Sequence, residues 1–379
     1  MKRVKQIIGT CARTLLALTF IFSGVVKAID PLGTTYKIED YLKAFGGFFT
    51  DLLPLAETAA IALIAVEFVL GICLLLNIGS KITSWLTLLF YLVMTPLTLY
   101  IALNNPVSDC GCFGDALVLT NWQTFWKNIV LLVLVVLWLR TKKTLRAWFM
   151  PVAEIGVASL SAVAVVAFMA WTLNHLPVAD FRPYAVGNNI PALMEYPEDA
   201  EPDEYEITLI YAKDGVEQAF TLQDYPKGDS TWTFVDQQSK LIKKGYEPPI
   251  HDFEILNMDY EDLTYDILES ETPVSLVVMY DLEKADLKQM SKVTQLMHTC
   301  MARGELFYIL TGSGEQTIND FCFNIAINET SNELTPFNHP AQFFCTCDPV
   351  TLKTIVRANP GVIVVQNGNI IDKYNIKNR

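Results

Sequence analysis

The sequence contains no G-x-S-x-G, H-E-x-x-H, P-loop or dinucleotide glycine pattern, and no internal repeat or low-complexity segment. The local signatures of serine hydrolases, zincins, NTPases and Rossmann enzymes are therefore missing. Metal ligands are sparse as well. His339 beside Cys345 and Cys347 falls short of a four-ligand zinc pattern. Basic charge is scarce in the second half: residues 176–379 carry 15 Lys/Arg against 32 Asp/Glu. Such an acidic surface repels polyanions and excludes nucleic acid as a partner. Residues 1–175 carry 13 Lys/Arg against 9 Asp/Glu, and the two halves together give the net charge of −13.

The first half instead holds long apolar runs, which raise the mean hydropathy to +0.29. Five of them predict membrane spans, at about Ile7–Ile29, Ala56–Asn77, Ile82–Leu103, Trp122–Arg140 and Pro151–Leu173. Each is long enough for a hydrocarbon core of ~30 Å. The first follows "MKRVK" but is long and lacks a small-x-small cleavage site, so it is expected to be retained. Lys2, Arg3, Lys5, Lys81, Arg140, Lys142, Lys143 and Arg146 all fall on one side if the spans alternate. That side is expected to be cytoplasmic. Five spans then put the acidic half outside, in the periplasm if the cell is a bacterium with an inner membrane. Segment 30–55 mixes aromatic and acidic residues, as an interfacial segment would. Asn121 is a plausible N-cap for the fourth span, and Pro151 suits the first turn of the fifth.

The expected organisation is an α-helical transmembrane bundle over 1–175, a linker and small β-rich unit over 176–272, and an extracytoplasmic α/β domain over 273–379. In the middle unit, two strand-like runs around Lys213-Asp214-Gly215 predict a hairpin. From Pro273 strands alternate with helices: strands at 274–280, 306–311 and 342–347, helices at 285–302, 316–327 and 349–358, then a hairpin around Asn367-Gly368. Such alternation implies parallel pairing closed by an antiparallel hairpin.

Two stretches resemble known families. "RTLLALTFIFSGVVKAIDPLG" and "LIAVEFVLGICLLLNIGSK" resemble the first helices of the DoxX/MauE-like membrane proteins, and "CGCFG" is similar to the cysteine motif of the MauE branch. The resemblance implies a small helical bundle. It further implies maturation of a disulfide-rich periplasmic dehydrogenase for MauE relatives, and quinone-linked oxidation for some DoxX relatives. The last hundred residues resemble a thioredoxin-like domain of the TlpA type, by strand–helix order and by "ANPGVIVVQNGNIIDKY". The resemblance gives Pro360 the place of the cis-proline. It also puts the reactive C-x-x-C after the first buried strand, where this chain has "YDLEKADLKQ", starting at Tyr280-Asp281, with no cysteine.

The candidate chemistry lies in two C-x-C pairs and one carboxylate. Residues two apart can form a disulfide only in a turn, which Gly111 permits between Cys110 and Cys112. A tight ring of that kind suits a disulfide donor. Loop 104–121 has no Lys or Arg, and Asp109 and Asp115 should raise the thiol pKa. A redox pair, a static bridge or free thiols, and a metal site all remain open. Cys345 and Cys347 face one side of a strand and are expected, with Asp281 and Pro360, at the sheet edge where ligands bind. Cys11, Cys73, Cys300 and Cys322 read as apolar packers. Glu67 lies ~16 Å into a span, where a carboxylate is costly and defaults to function. It is either a proton acceptor beside a quinone or thiol relay, or a neutral group bonded to Thr or Tyr of the third span. Glu57 and Lys27 are expected nearer the rim, pairing or snorkelling. His251 and Asp252 are expected to face opposite ways.

The expected function is a redox-relay protein that exchanges disulfides with periplasmic protein thiols. No cofactor is certain, and a quinone is the natural acceptor. The alternative is a non-catalytic anchor presenting an inert thioredoxin-like binding domain.

Overall fold

The computed structural model describes residues 2–107, 109–142, 149–202, 204–213, 215–243, 245–328 and 335–379. Lys143, Arg146 and Asp214 lie outside the described residues. Among the described residues, five helical segments are long and apolar enough to cross a membrane: Lys2–Ile29, Gly47–Leu76, Ser80–Asn104, Asn121–Thr141 and Pro151–Asn174. They match the five expected spans.

The bundle begins with α1 (Lys2–Ile29) and α2 (Pro31–Phe45). The Asp30 side chain caps α2 by accepting from the Gly33 amide at 3.0 Å, and Pro31 opens its first turn. A 3-10 stretch over Gly47–Leu55 leads into α3 (Ala56–Leu76). The expected interfacial segment is thus largely helical. α4 (Ser80–Asn104) runs through Pro96 without ending. α5 (Asn121–Thr141) starts from a capping box built by Thr120 and Gln123. Thr120, not Asn121, is therefore its N-cap. Asn121 instead donates to the Val107 carbonyl at 3.0 Å. α6 (Pro151–Asn174) has Pro151 at its first position, as expected.

Helix α1 is the hub and packs on α3 and α5. Gly24 and Gly71 make this possible. A Cβ on Gly24 would meet the Phe68 backbone at 2.9 Å, and one on Gly71 would meet the Ile21 backbone at 2.8 Å. Leu16, Phe20, Leu70, Leu74, Val135 and Trp138 fill the interior. Leu18, Leu89, Leu92, Val133, Leu160 and Val163 face outward. An exposed apolar belt of this kind is what lipid contact requires.

The rest of the chain builds one layered domain with a small sheet attached. A short α7 (Ile190–Met194) precedes β1 (Glu204–Lys213), β2 (Val216–Thr221) and β3 (Thr233–Lys243), which form an antiparallel sheet ordered β2-β1-β3. The larger sheet uses β4 (Leu256–Asn257), β5 (Val274–Val278), β6 (Leu306–Thr311), β7 (Phe344–Thr346), β8 (Gly361–Gln366) and β9 (Asn369–Asn375) in the order β4-β7-β6-β5-β8-β9. β5, β6 and β7 are parallel; β4, β8 and β9 pair antiparallel. Helices α9 (Met290–Arg303) and α10 (Glu315–Asn328) cover one face with Val293, Met297 and Ile318. The other face is covered by α7, α8 (Thr264–Leu268) and α12 (Pro349–Ile355). A short α11 (Pro340–Phe343) replaces the first half of the strand expected at 342–347, because Pro340 starts a turn there.

The expected boundary at 273 is too late. Ile190, Ile250, Phe253 and Ile255 are buried in the core of the larger sheet, and β4 is one of its strands. The segments before and after the small sheet thus belong to this domain. Residues 176–200 are not a free linker, since Lys373 of β9 pairs with Asp180 at 2.5 Å and donates to the Tyr184 carbonyl at 2.6 Å.

Candidate functional site

The loop between α4 and α5 folds into a tight turn. Gly111 and Gly114 both have positive φ, at 63° and 53°. A side chain at 111 would be strained there and would also press on Lys37 at 3.0 Å. The turn brings Cys110 Sγ to 2.8 Å from Cys112 Sγ, with neither cysteine in a disulfide.

Every neighbouring element holds this turn. Lys37 of α2 pairs with Asp109 at 2.6 Å. Tyr41 of α2 donates to the Cys110 carbonyl at 3.0 Å. Ser23 of α1 lies 2.8 Å from the Cys112 carbonyl and 2.6 Å from Glu67 Oε2. Lys27, one turn further along α1, reaches Glu67 Oε1 at 2.8 Å and Oε2 at 3.0 Å. All three side chains are buried. Lys127 of α5 lies over the Phe113 ring at 4.4 Å.

The thiols therefore sit among cations that the loop itself lacks. The hydrogen bond from Cys110, aided by Lys127 and Lys27, lowers the Cys112 thiol to about 6 against the opposition of burial. The same bond, with burial, pushes Cys110 up. This corrects the expectation that Asp109 and Asp115 would make both thiols sluggish. Asp109 is neutralised by Lys37, and Arg357 reaches Asp115 at 3.4 Å. The two thiols of the turn are thus unequal.

Glu67 joins this cluster, but not through Thr or Tyr of the third span. Its partners are Lys27 and Ser23 of α1. Lys27 is not at the rim, and Glu57 is exposed and apart from it. A small cavity between α1, α4 and α5 opens beside Cys112, with Phe20, Phe90, Tyr91 and Met94 as apolar wall and Lys127 at its edge.

Cys345 and Cys347 are elsewhere. Cys345 lies on β7, opposite Leu310 of β6, and the Cys347 amide donates to the Thr311 carbonyl at 3.0 Å. Both are core residues whose thiols burial pushes up to about 12. They do not join the Cys110/Cys112 cluster. Asp281 and Pro360 do come together: the Asn359 side chain donates to the Asp281 carbonyl at 2.7 Å, and the Asn359–Pro360 bond is cis. Cys347 lines a separate cavity with His251, Gly312 and Asp348. His251 and Asp252 are in a loop and pair at 3.0 Å, contrary to the opposed orientation expected on a strand. Cys73, Cys300 and Cys322 are buried, whereas Cys11 is exposed on the outer surface of α1. Among the described residues no group of three or more His, Cys, Asp or Glu could hold a metal.

The edge formed by Tyr280, Asp281 and Pro360 adjoins the bundle. Tyr36 of α2 donates to the Tyr280 hydroxyl at 3.3 Å, and Arg357 binds Asp30 at 2.9 Å. Sequence reasoning missed Ser23, Tyr41, Lys127 and Arg357. Only Lys127, a cation inside an apolar run, carried a signal that could have been read.

The fold and site define a polytopic membrane protein with a thiol pair at one end of its bundle. Residues 5–141 match the family model described as methylamine utilisation protein MauE. The first four of the five candidate spans are thus MauE-like. Residues 205–244, which span β1 to β3, match a domain of unknown function, DUF8463. No curated protein and no solved structure matches the chain.

Proposed function

We propose that this MauE-like membrane protein exchanges disulfides with protein thiols outside the cytoplasm, and that Cys110 and Cys112 are its working pair. The observation that carries this reading is the contact of two unbonded sulfurs at 2.8 Å above a buried Lys27–Glu67 pair. The Cys112 thiolate attacks a partner disulfide and forms a mixed disulfide, releasing one partner thiol. Cys110 then attacks Cys112 Sγ and releases the second. The partner gains two electrons and two protons, and the pair becomes a disulfide. The reverse sequence oxidises a partner.

Continued turnover needs an electron acceptor or donor. A quinone-class molecule, when bound, exchanges two electrons and two protons. The cavity walled by Phe20, Phe90 and Tyr91 holds only about 30 Å³, room for one water and not for a quinone ring, so such an acceptor would have to reach the pair by another route.

The location follows from charge. Lys2, Arg3, Lys5, Lys81 and Lys142 stand at the bundle end opposite the thiol turn, which suits a cytoplasmic N-terminus and a periplasmic thiol site in the inner membrane. The last domain's parallel β5-β6-β7 core and closing antiparallel β8-β9 hairpin favour a thioredoxin-like domain without its dithiol. A purely binding-type domain would leave the Tyr280–Pro360 edge open, but here that edge abuts α2.

Trapping tests the reading. Cys110→Ser leaves the attacking thiolate without its resolving partner, so mixed disulfides with envelope proteins should accumulate on non-reducing gels. Cys112→Ser should trap few. Native Cys110 and Cys112 that resist labelling both with and without reductant would remove the proposal.

A further inference from the structure

Arg357 belongs to the C-terminal domain, between α12 and β8, yet its side chain ends in the bundle. It is 8% exposed. Its Nε donates to both oxygens of Asp30, at 3.1 and 2.9 Å, and its Nη2 reaches Asp115 at 3.4 Å. Nη1 donates to the Lys353 carbonyl, and the guanidinium lies 5.2 Å from the Tyr36 ring centre. One planar cation thus satisfies two carboxylates on two different elements, a task for Arg rather than Lys.

Both carboxylates bear on the thiol turn. Asp30 caps α2, the helix that supplies Lys37 to Asp109 and Tyr41 to the Cys110 carbonyl. Asp115 follows Cys112 by three residues, in the 3-10 turn Gly114–Ala116. Displacing Arg357 would free the turn and the start of its supporting helix together. It would also leave unbalanced the negative charges of Asp30 and Asp115, on the two segments that hold the turn, and such charges oppose a thiolate.

We propose that Arg357 is a positioning residue of the Cys110/Cys112 site, and that the C-terminal domain is docked on the bundle to complete that site. The inference rests on the thiol-exchange reading. The domain edge that resembles a partner-binding surface serves its own membrane half. Arg357 acts through Asp30 and Asp115, by fixing the turn and by cancelling their charge.

The test is the pH dependence of Cys112 alkylation by iodoacetamide in full-length protein carrying Cys110→Ala, in lipid nanodiscs. The groups facing the thiol are Lys27, Lys127, Glu67, Tyr41 and Tyr91, with Asp109, Lys37 and Asp115 around the turn. Arg357→Gln should move the alkylation midpoint up by about one unit, which lowers the rate below the midpoint about tenfold. Adding Asp115→Asn to Arg357→Gln should recover part of the shift, since it removes a charge that Arg357 had balanced. Arg357→Lys keeps the charge and tests the case in which the Gln variant fails to fold; it should shift the midpoint less. A profile for folded Arg357→Gln that overlays the parent would overturn the proposal, as would a shift that Asp115→Asn leaves untouched. Alkylation is read whether or not the pair exchanges disulfides, so this claim and the trapping result fail separately.

Discussion

Ser23 presents one hydroxyl proton to two acceptors, the Glu67 carboxylate at 2.6 Å and the Cys112 carbonyl at 2.8 Å. Ser23 therefore joins the thiol turn to the buried Lys27–Glu67 pair. Lys27 is the balancing charge, and both partners are buried. A buried pair gives little net stability, but an unpaired buried charge is expensive. Lys27→Met should destabilise the bundle by about 3–5 kcal/mol, whereas Lys27→Met with Glu67→Met should cost much less. Thermal unfolding of the detergent-solubilised protein measures this. A double-variant loss equal to the sum of the two single-variant losses would show that the pair is not coupled. The buried position of Glu67 was legible in the sequence, because a lone acid in a long apolar run is rare. Its partner was not, because Lys27 lies 40 residues away and meets it only across the α1–α3 contact.

At the level of elements, the spans were legible and the strand ends were not. Apolar length alone fixes a span. The edge strand β7 is three residues long and follows Pro340–Phe343, where apolar Phe343 and Phe344 suit either state. The segment before α7 illustrates the other failure. Its Pro, Asn, Asp and Glu content suggested a linker, yet Asp180 binds Arg182 at 2.7 Å and Lys373 at 2.5 Å. Burial alone would push the Asp180 carboxyl up, but the two cations hold it below its usual range. Between them Lys373 is pushed down to about 8, because burial and Arg182 outweigh its one carboxylate partner. A carboxyl lowered on folding adds stability above its unfolded pKa of ~4, and that stability is lost as pH falls through the folded value. Asp180→Asn should cost about 2–4 kcal/mol at neutral pH, by leaving two cations face to face. It should also flatten the acid limb of the stability–pH curve. Denaturant unfolding between neutral and acid pH tests both, and an unchanged acid limb would count against the triad.

At the level of the whole molecule, the thiol turn and the C-terminal domain lie at one end of the bundle, with Arg357 between them. A reporter fused after Arg379 and impermeant labelling of a single cysteine at Asp109 should therefore agree on one compartment. A reporter before Met1 should report the other. Detection of residue 109 on the same side as the N-terminus would rule out the proposed exchange with envelope proteins.

The sequence by itself determined the number of spans, the C-x-C pair in its glycine turn, the buried acid and the alternation of strands and helices. Each of these is a local pattern, set by apolar run length, by glycine's access to positive φ or by period. The tertiary structure alone decided which thiols have partners that matter. Cys110 and Cys112 meet Lys27, Lys127 and Tyr41 from three different helices, while the similarly spaced Cys345 and Cys347 are enclosed in a core. Electrostatic surroundings depend on which distant residues fold close together, and no spacing along the chain encodes that distance.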